Sequence, residues 1–73
     1  MNTHRIILVS PLADGWAVLC AGLEPLVFRS GARAEAQAKK LAAVLAKLGR
    51  AVQVRILDRG RNLVGTQLFP AAA

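Results

Sequence analysis

Residues 11–22 read PLADGWAVLCAG and hold the only tryptophan and the only cysteine of the chain. A Pro-x-x-Asp-Gly signal stands between apolar runs here, so the stretch reads as the return half of a hairpin. HRIILVS (4–10) is rich in β-branched and large aliphatic side chains and supplies the first strand. Pro11 fixes φ and Asp14-Gly15 tolerates positive φ, so PLADG reverses the chain. WAVLCAG (16–22) comes back as the partner strand. A period of two puts Trp16, Val18 and Cys20 on one face and Ala17, Leu19 and Ala21 on the other.

Outward from this hairpin, LEPLVFRSG (23–31) contains Pro25, which opposes a central strand, and LVFR offers a short extended lead into the next element. From about Ala32 to Leu48 the period becomes helical: Ala34, Ala38, Leu41, Leu45 and Leu48 fall on one stripe, while Lys39, Lys40, Ala43 and Lys47 point away. Glu35 precedes Lys39 by one turn, Ser30 is the N-terminal capping residue on offer, and Gly49 supplies a C-terminal cap. AVQVRILD (51–58) alternates Val52, Val54 and Ile56 against Gln53, Arg55 and Leu57. DRGRN (58–62) turns the chain into NLVGTQLF (62–69), with Gly65 as a bulge or close-approach point, and PAAA (70–73) reads as a loose tail. The expectation is one small α+β domain with its ordered core over about residues 4–69. Its architecture is ββαββ, a mainly antiparallel four-stranded sheet with one helix on one face.

Composition narrows the function. At 73 residues and 55% hydrophobic, the chain has a core near the lower limit of self-sufficiency. One cysteine makes no internal disulfide, and no His/Cys cluster has metal-ligand spacing, so no cofactor is expected. Self-association into a dimer is the remaining way to add buried area. The formal charge of +6 favours polyanions, nucleic acid above all, and acidic protein surfaces.

The N-terminal run mimics a secretory signal. However, Ile6–Val9 is short and closed by Ser10 and Pro11, and Asp14-Gly15 follows where apolar residues would have to continue. Leu19 stands before Cys20, where a lipoprotein cleavage site needs a small residue. Asp14, Glu24, Pro11 and Pro25 interrupt any membrane span. A cytoplasmic protein with a reduced thiol is expected.

Pro-x-x-Asp-Gly-Trp-x-Val (Pro11–Val18), Phe28 before the helix, AEAQAKKLA (34–42) running to Gly49, and Asp58-x-Gly60 in the second hairpin together resemble a small bacterial family of ββαββ domains. The likeness covers roughly residues 8 to 65. It implies a compact sheet with one helix, and no activity is established for that class. The chain departs from it at Leu19, where a polar residue is usual on the open side of the sheet. It also departs in the length of GLEPLVFRSGAR and in the residues before Ala34-Glu35-Ala36.

Few residues offer chemistry. Trp16 is either a stacking platform for a base or a core aromatic, and its alternation with Val18 favours the core. Cys20 would need a neighbouring base or positive charge to react, and His4, the sole histidine, reads as a solvated edge residue. Asp14 and Asp58 sit at turns, where carboxylates bond nearby backbone, while Glu24 and Glu35 have no carboxylate partner. Gly60 and Gly65 are isolated, so no phosphate-cradling loop exists. An enzyme is not expected, and no small-molecule substrate is evident.

Arg29 and Arg33 near the helix start and Arg55, Arg59 and Arg61 on the second hairpin are the candidate phosphate contacts of a small nucleic-acid-binding protein. The leading expectation is different: a non-catalytic interaction module. One helix covers one sheet face, and Leu19 and Leu57 point to the other with two aliphatics from Ile6–Val9. That surface is a contiguous apolar patch suited to self-association through the open face or a sheet edge.

Overall fold

The computed structural model describes residues 5–72. The elements in chain order are β1 (Arg5–Leu12), β2 (Gly15–Cys20), β3 (Leu26–Phe28), α1 (Gly31–Lys47), β4 (Val52–Leu57) and β5 (Leu63–Phe69). They form one five-stranded sheet in the order β3-β2-β1-β4-β5. The expected mainly antiparallel, four-stranded ββαββ sheet is therefore corrected. The sheet is mixed, with β1 and β4 parallel at its centre and antiparallel pairs outside them.

The difference comes from three residues. Leu26–Phe28 pairs with β2 through Trp16↔Phe28 and Val18↔Leu26. Pro25 is harmless there because β3 is an edge, where a missing N–H faces no partner. This extra strand reverses the chain once more before the helix. α1 then runs back alongside the sheet, and β4 enters in the direction of β1 rather than against it.

The first hairpin is tighter than expected. β1 continues through Pro11 to Leu12, which pairs with Gly15, leaving Ala13-Asp14 as the loop. Pro11 is tolerated because the ladder to β4 stops at Val9↔Ile56. Gly15 does not have positive φ; the positive-φ residues described are Gly22, Gly49 and Arg61. Its requirement is space, since a Cβ there would lie 2.5 Å from the Phe28 carbonyl oxygen. The glycine lets β3 close against β2.

Register assigns the faces. Ile7, Val9, Val18, Cys20, Val52 and Val54 point to the helix and are buried, with Trp16, Phe28, Leu41, Leu45, Ile56 and Phe69 packed around them. The helix contributes Ala34, Ala38, Ala42 and Ala46 as its buried ridge. This corrects the expected stripe in its second half. From Ala38 the line continues by four-residue steps through alanine, Leu41 and Leu45 flank it, and Leu48 is 74% exposed. Methyl groups along the contact let α1 lie close across the three central strands.

Both helix ends are closed. The Ser30 hydroxyl accepts the Arg33 N–H at 3.1 Å. At the other end Gly49 has φ 91°, its N–H donates to Ala46 O, and the Arg50 N–H donates to Leu45 O. This is the paired 5→2 and 6→1 closure of a Schellman motif. The Ala72 N–H donates to Ala46 O at 2.9 Å, which ties the tail to the same helix end.

Candidate functional site

Opposite the helix, the sheet presents a face that no other described element covers. Ile6 and Leu8 of β1, Leu19 of β2 and Val27 of β3 stand on it, with Leu12 at the hairpin end and Leu57 and Leu68 on β4 and β5. Leu8 and Leu19 are direct register partners. Ile6 is 40% exposed, Leu12 40%, Leu19 37%, Val27 67% and Leu68 52%, and Leu57 is half-buried. Ser10 and Ala17, paired in register, are buried among their neighbours. Polar groups gather to one side: Arg55 Nε donates to Gln53 Oε1 at 2.8 Å on β4, beside Thr66 of β5. The face therefore has an apolar half over β1–β3 and a polar flank.

The five candidate phosphate contacts do not form one cluster. Arg55 lies on the open face, pinned to Gln53. Arg59 and Arg61 project from the 58–62 turn at the end of the sheet where β2 begins. Arg59 Nη1 donates to the Leu12 carbonyl at 2.6 Å, and its guanidinium lies 4.9 Å from the Trp16 ring centroid. The other approach to that ring belongs to the helix start, because a Cβ on Gly31 would come within 3.1 Å of the indole. Trp16 is thus a packed, half-buried aromatic held between Arg59 and Gly31, and its ring is not an open platform. Arg29 and Arg33 flank the Ser30 cap, both exposed.

The turn that carries Arg59 and Arg61 is rigidly built. Asp58 Oδ1 accepts the Gly60 N–H at 2.8 Å and the Asn62 N–H at 2.9 Å. These bonds hold its carboxyl below its ordinary value of 3.8, with the Asn62 backbone contributing most. Asp58 thus has the backbone-bonding role expected at a turn, whereas Asp14 makes no such bond among the described residues. The left-handed position of this loop, normally glycine or asparagine, is filled by Arg61 at φ 64°.

A second feature was missed by sequence reasoning. A groove of about 210 Å³ runs between β3 and the first turns of α1, lined by Phe28, Arg33, Ala36, Gln37 and Lys40. The signal was present, since residues 33, 36, 37 and 40 share one helix face by three- and four-residue spacing. Lys40 reads as a solvated lysine until β3 places an aromatic beside it.

Cys20 lines an apolar cleft of about 290 Å³ with Val18, Leu23, Glu24, Leu26 and Leu41. Cys20 is 8% exposed, and its Sγ lies 3.9 Å from Arg5 Nη1, a cationic neighbour that the sequence did not single out. His4 lies outside the described residues. Glu35 pairs with Lys39 at 2.9 Å. Among the described residues, no group of three or more His, Cys, Asp or Glu side chains could hold a metal ion. No helix among them is long and apolar enough to cross a membrane. No family model, curated protein or solved structure matches the chain.

Proposed function

We propose that this chain is a non-catalytic interaction module whose open sheet face packs against the same face of a second copy. The observation that supports it most is the one-sided roof. A single helix covers one face of a five-stranded sheet, and the other carries Ile6, Leu8, Leu12, Leu19, Val27, Leu57 and Leu68. The contiguous part, Ile6, Leu8, Leu12, Leu19 and Val27 over β1–β3, exceeds the scattered apolar residues that normal surfaces tolerate. The interior adds weight to the argument. The large side chains that are fully buried are Ile7, Val9, Val18, Val52 and Val54, a small core for one domain.

Area favours a second copy. Strands about 4.8 Å apart and about 20 Å long give a footprint of roughly 480 Å² per copy, so two copies bury about 1,000 Å², near the lower bound of a specific interface. The patch has an apolar middle and a polar border on its β4–β5 side. Leu8 and Leu19 are direct partners within it, and Arg55, Gln53 and Thr66 border it on one side. Light scattering over micromolar concentrations then gives a mass rising toward twice the monomer, and Leu19→Lys returns it to monomer. A monomer at every concentration defeats the reading.

A further inference from the structure

We infer that the groove between β3 and the N-terminal half of α1 is a binding site for single-stranded nucleic acid, with one base against Phe28 and the flanking phosphates on Arg33 and Lys40. The site lies on the helix side of the sheet, opposite the face assigned to self-association, so the two surfaces operate independently.

Four observations point to this class of ligand. Phe28, partly buried with one side against the core, lines a groove of about 210 Å³ together with the small side chain of Ala36. Base stacking needs such a ring and tolerates any base, because every base has a π-face. Arg33 and Lys40, both exposed, border the groove at the spacing of two helical turns. Neither has an acidic partner among the described residues, where the ion pair found is Glu35–Lys39. Gln37 lies between them with an amide that can both donate and accept at a base edge.

The positive charge also continues past the groove. Phe28 is the register partner of Trp16, and the Arg59 guanidinium rests on Trp16, so a strand leaving the Phe28 end meets a further cation. An aromatic ring between cations fits a stacked base with phosphates on either side. An acidic peptide would use the charges and leave the ring without a role. Duplex DNA keeps its bases stacked inside and cannot reach Phe28.

The test is fluorescence anisotropy of a labelled oligothymidylate of roughly 12 nucleotides, a length within single-strand site sizes. It is titrated with the full chain between about 50 and about 200 mM salt. The same probe as a duplex and a polyglutamate of equal charge serve as competitors. The expected result is preferential binding of the single strand, weakening as salt rises. Arg33→Gln with Lys40→Gln lowers the log–log salt slope by about 1.4, as removal of two phosphate contacts requires. Phe28→Leu weakens affinity about tenfold, the cost of one lost base stack. Arg50→Gln, at the far end of the helix, leaves the affinity and slope close to those of the parent chain.

Phe28 borders the core, so the fold of Phe28→Leu is checked by the emission of Trp16, and the exposed helix variants carry the test without that risk. Four outcomes overturn the proposal. They are no binding at low salt, an Arg50→Gln loss equal to that of the double variant, a duplex that binds as well as the single strand, and displacement by polyglutamate at equal charge.

Discussion

Ala38→Leu tests the packing that sets the whole architecture. Ala38 is 0% exposed and sits at the middle of the alanine ridge pressed on the sheet. Leucine has nearly the helix propensity of alanine, so the exchange changes volume while leaving the helix itself unaffected. Three added carbons at this fully buried position must lift α1 or displace side chains of the sheet beneath it, at about 1–3 kcal/mol. Unfolding entropy of about 2.1 cal/mol/K per residue gives near 0.15 kcal/mol/K for a chain of 73 residues. The expected fall in Tm is therefore about 7–20 °C, followed by circular dichroism at fixed protein concentration. Ala36→Leu, two positions away on the exposed side, shifts Tm by no more than about 3 °C. Equal melting of the two variants would show that the helix is not seated through its alanines.

Two further outcomes follow from the 58–62 turn. Arg61 occupies the left-handed region at φ 64°, which asparagine adopts at lower cost, so Arg61→Asn raises stability by roughly 0.5–1 kcal/mol in urea unfolding; a lower midpoint contradicts the strain. The Asp58 carboxyl is held below 3.8, so its contribution is complete above that pH and is lost as pH falls through 3.8 toward the lower folded value. Asp58→Asn keeps an acceptor without the charge. The gap in Tm between parent and variant is therefore widest near neutrality and narrows in acid, and a gap independent of pH rules out the linkage.

Much of this was readable from residue order, and the failures have identifiable physical causes. Alternation in GWAVLC and VQVRIL assigned every side chain of β2 and β4 to its face, because burial on one side imposes a period of two. Ser30 and Gly49 marked the helix ends through local hydrogen bonding and a left-handed φ, which depend little on tertiary context. β3 was not readable as a strand. Three residues after a proline carry no periodicity, and their pairing is decided by the space that Gly15 leaves for the Phe28 carbonyl. Without that strand the sheet reads as mainly antiparallel, whereas β4 runs parallel to β1.

The helical stripe fails at Leu48, which is exposed, and its buried line runs on through Ala42 and Ala46, because close approach to the sheet selects the smaller side chain. The arginines were visible as a charge, and their division between open face, turn and helix start was not. The groove at Phe28 needed the tertiary fold, since its aromatic wall and its basic wall come from different elements.

Self-association through the open face requires that the side of the sheet away from α1 meets the second copy. Sedimentation equilibrium on the parent chain, Leu19→Lys and Val44→Lys decides this directly. Leu19 is on the open face, while Val44 is 55% exposed on the helix, so the two variants place the same charge on opposite sides. Over about 1–100 μM, the predicted result is a monomer–dimer equilibrium for the parent and for Val44→Lys. Leu19→Lys stays at the 7.7 kDa monomer mass throughout. A dimer that survives Leu19→Lys but is lost in Val44→Lys would place the interface on the helix and contradict the account.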